Sequence, residues 1–128
     1  MTWLSLLLVF KIAYTLLAAA GPMLLLPRER VSSVLGVGVE AVAIVRLYGM
    51  ALLALLVGYG SGIPAAEADV FPVGVVAMGI VSNAGATALL LGTGAWRRTP
   101  LAAPVFGLIA LGLVASAAAP AASLQKAW

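Results

Sequence analysis

The sequence predicts an all-α polytopic membrane protein: four transmembrane helices in a compact bundle, with both termini outside (N-out/C-out). Four long apolar runs fill nearly all of the 128 residues. The chain is 64% hydrophobic and 9% charged, with a mean hydropathy of +1.19. A soluble domain carries about 25% charged residues, and seven basic and four acidic side chains cannot cover a water-facing globule of this length. The charges also fall mostly between the apolar runs. Lipid is therefore the solvent, and 1–128 forms one domain with no separate soluble head.

The first span is expected over 3–26. Its Ala-rich end resembles a cleavable leader, but no basic segment precedes it and Lys11 interrupts the run, so it reads as a retained helix. Gly21-Pro22 should kink it or begin its end. Pro27 and Arg28-Glu29-Arg30 mark the exit into water, and 31–39 reads as a short interfacial or re-entrant segment. The second span is expected over 40–59, ended by the turn chemistry of Gly58 to Pro64. The third is expected over 70–94, with Pro72 in its first turn, where proline is tolerated. Trp96 to Pro100 makes the next turn, and the fourth span is expected over 101–123.

Orientation follows from the arginines. Arg28 and Arg30 lie in the first loop, Arg97 and Arg98 in the third, and the second loop has no basic residue. Cytoplasmic loops carry the Lys/Arg excess, which places both termini outside a bacterial cytoplasmic membrane. Trp3, Tyr59 and Phe71 fit an outer aromatic belt and Trp96 an inner one.

Small residues recur at four-residue spacing as Ala54, Gly58 and Gly62, as Ala84, Ala88 and Gly92, and as Ala103 and Gly107 followed by Gly112 and Ser116. Lipid gives helices no hydrophobic reason to associate, so such stripes serve close packing, within the bundle or against a partner protein or a second copy.

Composition narrows the chemistry. With no cysteine and no histidine, disulfides, thiol redox chemistry, histidine-bound metals and a histidine base are excluded. Paired-carboxylate sites, catalytic triads and phosphate loops are missing, so no metal, no cofactor and no catalytic residue is assigned. The net charge of +3 is scattered at helix ends, which gives no nucleic-acid signal.

Polar residues inside the spans are the candidate site, because ionisable groups are costly there. Helical rise puts Lys11 roughly 12 Å and Tyr14 roughly 16 Å below Trp3. It puts Tyr48 roughly 16 Å and Arg46 roughly 20 Å below Tyr59, and Asn83 roughly 18 Å below Phe71. Tyr14, Tyr48, Asn83 and Arg46 then share one layer from three helices. Arg46 either binds a ligand and organises that layer or snorkels to the cytoplasmic headgroups. Lys11 is expected to snorkel outward; the alternatives are a buried amine paired with Glu67 or Asp69, or one neutralised by desolvation. Asn83, with Ser82 beside it, must find partners across helices. Glu40 is expected to pair with Arg97, Arg98 or Arg30.

The stretch Ile44-Val45-Arg46-Leu47-Tyr48-Gly49-Met50-Ala51-Leu52-Leu53 resembles the start of the second helix in DoxX-like small bacterial membrane proteins. The four-span plan with a proline-marked end to the first helix is similar too. The resemblance implies a four-helix bundle, in some cases a membrane subunit of a quinone-linked oxidoreductase, and a structural or ligand role for Arg46.

The leading expectation is an accessory or lipophilic-ligand-binding subunit of a larger membrane assembly, its partners being the bilayer, a membrane protein or a second copy, and a lipid or quinone-like ligand. The alternatives are a small membrane enzyme acting on a lipophilic substrate and a homo-oligomeric channel or transporter.

Overall fold

The computed structural model describes residues 1–128 and is all-α. Its six helices are α1 (Trp3–Leu25), α2 (Arg28–Leu35), α3 (Val42–Glu67), α4 (Val73–Gly92), α5 (Ala102–Ala118) and α6 (Pro120–Ser123). Three stretches, Trp3–Leu25, Val39–Glu67 and Val73–Gly92, are long and apolar enough to cross a membrane, and α5 is a shorter apolar helix. Large apolar side chains point outward along them, including Leu17, Leu25, Val57 and Val81, each at least 75% exposed. A water-soluble monomer rarely leaves so much apolar surface bare.

α1 starts at Thr2, whose hydroxyl accepts the Ser5 N–H at 3.1 Å. That satisfies one of the donors a helix start leaves free. Gly21-Pro22 does not end the helix. Proline lacks an N–H and its ring collides with the carbonyl four residues back. The chain absorbs this by widening into a π turn over Leu16–Ala20, where the Gly21 N–H reaches the Leu16 carbonyl. A Cβ on Gly21 would lie 2.7 Å from that oxygen, so only glycine fits. The helix stops at Leu25, with Leu26 extended before Pro27. The segment after it forms α2, closed by Gly36 at φ 65°, the left-handed conformation that glycine adopts without strain.

The largest departure from the sequence expectation is α3. It runs on to Glu67, straight through Gly58 to Pro64. Glycine and serine are poor helix formers in water, but in lipid an unpaired backbone group is costlier than a weak propensity. Pro64 is accommodated within the last turn. α4 starts at Val73, after Pro72, and ends at Gly92. The fourth apolar run is interrupted: α5 stops at Ala118, because Ala119 precedes Pro120 and is forced out of helical geometry. α6 then resumes for one turn.

The helices form two antiparallel pairs, α1 with α3 and α4 with α5, each packed extensively along its length. The pairs meet at the end that carries both termini. Leu4, Leu8, Leu56, Tyr59, Ala66, Val76, Ile109 and Leu113 make a buried cluster there. Gly79 permits the approach, since a Cβ on it would stand 2.6 Å from a Leu113 methyl and 3.1 Å from the Tyr59 ring. The same end is tied by Thr2 N–H to Glu67 Oε1 (2.8 Å), the Met1 amino group 3.8 Å from Glu67 Oε2, and a Thr2–Lys126 bridge. Between this cluster and the arginine-bearing end, the two pairs are not packed tightly against each other throughout.

Candidate functional site

Between the two pairs lies a cavity of about 350 Å³. Fifteen of its nineteen lining residues are hydrophobic, which suits an apolar occupant. It reaches from Lys11, Tyr59 and Ser82 at mid-helix to Leu35 and Thr99 at the arginine-bearing end.

Lys11 is 5% exposed, so it does not snorkel outward as expected. Its Nζ lies 4.6 Å from the Phe106 ring centroid and 5.8 Å from that of Tyr59. Ring faces attract an ammonium, and the two rings hold the amine between the helix pairs. Neither Glu67 nor Asp69 approaches it, because Glu67 is engaged by Thr2 and the Met1 amino group. One turn along, Thr15 faces the same cavity; its hydroxyl is buried without a hydrogen-bond partner.

Beside the amine, Tyr59 Oη and Ser82 Oγ lie 2.7 Å apart. Asn83 Nδ2 donates to the Gly79 carbonyl at 2.6 Å and to Tyr59 Oη at 3.3 Å. Asn83 is fully buried, and its Oδ1 has no partner. The amide cannot be turned round to cure this, since its oxygen would then face the Gly79 carbonyl. Ser82 Oγ can donate to Gly79 at 3.2 Å or toward Tyr59, and the second arrangement frees the tyrosine proton for the cavity.

The common layer expected for Tyr14, Tyr48, Asn83 and Arg46 is not what forms. Its depths were counted from Tyr59 as an outer anchor, whereas α3 continues two turns further and Tyr59 sits mid-helix, 1% exposed. Arg46 is consequently displaced roughly 20 Å along α3 from Tyr59. It is exposed and donates to the Leu26 carbonyl at 3.4 Å, at the end of α1. Tyr48 lines the cavity nearer that end and is 56% exposed. Tyr14 lines it too, edge-on to Phe106 with centroids 5.9 Å apart. Glu40 lies in a 3-10 turn (Val39–Ala41) and makes no ion pair with Arg30, Arg97 or Arg98. Arg98 donates instead to the Leu35 carbonyl at 3.3 Å, tying the third loop to the end of α2.

The structure thus brings Lys11, Ser82 and Asn83 together and leaves Arg46 and Glu40 outside. Tyr59, Thr15 and Phe106 complete the arrangement, although the sequence reading had not proposed them. One signal pointed to Tyr59: twenty uncharged residues separate Arg46 from Glu67, the length of one span. Comparison with protein-family models, curated proteins and solved structures gives no match for this chain.

Proposed function

We propose that this chain is a four-span integral membrane protein that holds a lipophilic ligand between its two helix pairs, as a binding subunit of the bacterial cytoplasmic membrane. The observation that carries this reading is the largely apolar cavity with a few polar groups gathered at its inner end, the usual constitution of a small-molecule site. A holding site suits the geometry better than a pore, because Leu4, Leu8, Tyr59 and Leu113 fill the space between the pairs beyond the cavity. The DoxX-like stretch around Arg46 fits the same four-helix plan.

In this reading the end bearing Arg28, Arg30, Arg46, Arg97 and Arg98 faces the cytoplasm, and the end bearing Glu67 and Asp69 faces outward. Ala84 and Ala88 are exposed on α4, and Gly92 has open space before it, which supports a further membrane subunit against that face. Solvent extraction of the purified chain, followed by mass spectrometry, tests the ligand. The expected result is a small lipophilic molecule in near-stoichiometric amount; a chain that carries none, and takes up none when offered membrane lipids, contradicts it.

A further inference from the structure

We infer that the ligand is a lipophilic monocarboxylate, such as a free medium-chain acid, with its carboxylate seated on Lys11 Nζ and Thr15 Oγ. This rests on the binding role proposed above and specifies its chemistry.

Lys11 is a buried amine with aromatic rings on two sides and no hydrogen bond or ion pair from the chain. Buried charges are normally paired. The chain has four acidic side chains, and none serves: Glu67 is engaged at the terminal end, Asp69 lies two residues beyond it, and Glu29 and Glu40 lie at the opposite end. The missing anion must come from outside. Thr15 supplies a second observation pointing the same way. It is 2% exposed, its hydroxyl is unpartnered, and it follows Lys11 by four residues, on the same helix face. An ammonium and a hydroxyl one turn apart present two donors to one acceptor group. Two oxygens of a carboxylate match them, one to each.

A single cationic group calls for a monoanion. A phospholipid phosphate would have to bring its glycerol and headgroup to mid-membrane, into a space lined mainly by Leu, Ala and aromatic side chains. A carboxylic acid enters without moving net charge through lipid. It crosses lipid neutral as RCOOH and gives its proton to water at the cavity's opening, and the RCOO⁻ and the Lys11 ammonium then remain as a neutral pair. The cavity volume also suits an acyl chain. A methylene takes up about as much space as a water's share of roughly 30 Å³, so about 350 Å³ accepts a chain on the order of ten carbons. Arg46 and Arg98 stand at the same end of the bundle as the cavity's Leu35 and Thr99, which favours approach of an acid from that side.

The test uses the full chain in lipid nanodiscs with dodecanoic acid and 1-dodecanol, which share a chain and differ in the head. The wild-type protein is expected to bind the acid at least about tenfold tighter than the alcohol, the range that hydrogen bonds to a charged group supply. Lys11→Met keeps the length of the side chain and removes the amine; it should abolish that preference while the alcohol still binds. Thr15→Val should reduce it. Equal affinity for acid and alcohol in the wild type overturns the carboxylate assignment and leaves the binding role standing. So does an acid preference that persists in Lys11→Met. Binding of neither probe overturns both. The wild-type comparison decides the matter even where Lys11→Met does not fold.

Discussion

Asn83 and Tyr59 join α4 to α3 by polar contact between side chains. Asn83 Nδ2 donates to Tyr59 Oη, and Tyr59 in turn meets Ser82. In lipid such bonds are modest, because the separated helices also find partners. A double-mutant cycle of Tyr59→Phe and Asn83→Leu, measured by unfolding in detergent, should give a coupling of about 0.6 to 1.7 kcal/mol. A coupling near zero would mean that the two side chains act independently. Asn83 was legible in the sequence, since an amide in mid-span needs a partner whatever the fold. Lys11 was legible as a candidate but not in its placement. A snorkelling lysine and a buried one look alike in sequence, and the choice depends on whether a neighbouring helix covers the side chain. Phe106 and Tyr59 do so here. Thr15 could not be found at all, because a helical threonine ordinarily bonds its own backbone, and nothing in the sequence marks this hydroxyl as unpartnered.

The helices themselves were largely predictable from apolar runs, and their ends were not. Turn chemistry suggested an end for α3 near Tyr59, but those signals weaken where no water competes for the backbone. Proline kept its meaning: Ala119-Pro120 interrupts the last run, and Leu26-Pro27 closes the first helix. The glycine end of the α3 stripe is used within the bundle, with Gly58 against Met78 and Gly62 against Val75 and Leu8, whereas Ala54 and the α4 stripe face outward. Gly79 is the contact on which the meeting of the pairs depends. Gly79→Val should therefore destabilise the bundle by about 1 to 3 kcal/mol, the usual cost of overpacking. Gly85→Val, on the same helix with nothing within 4 Å, should stay within about 0.5 kcal/mol. Equal effects of the two substitutions would place the junction elsewhere.

At the scale of the whole molecule, the fold is closed by a buried cluster where both termini lie and holds a cavity between that cluster and the arginine-bearing end, with Lys11 in its lining. The sequence showed the four apolar runs but not the cavity, since a cavity depends on how helices pack and leaves no periodic trace. Its orientation can be read with single cysteines, because the chain has none of its own. In intact cells a membrane-impermeant maleimide should label Asp69→Cys, and Ser33→Cys only after permeabilisation; the reverse pattern would invert the topology. The cavity is the central claim, and ligand retention tests it most directly. Ala86 lines the cavity and Ala84 faces outward on the same helix. Mass spectrometry of lipophilic material extracted from the wild type, Ala86→Trp and Ala84→Trp should find a bound molecule in the wild type and in Ala84→Trp, and little or none in Ala86→Trp. Equal amounts in all three, with the same monodisperse, helical protein, would contradict a ligand held between the helix pairs.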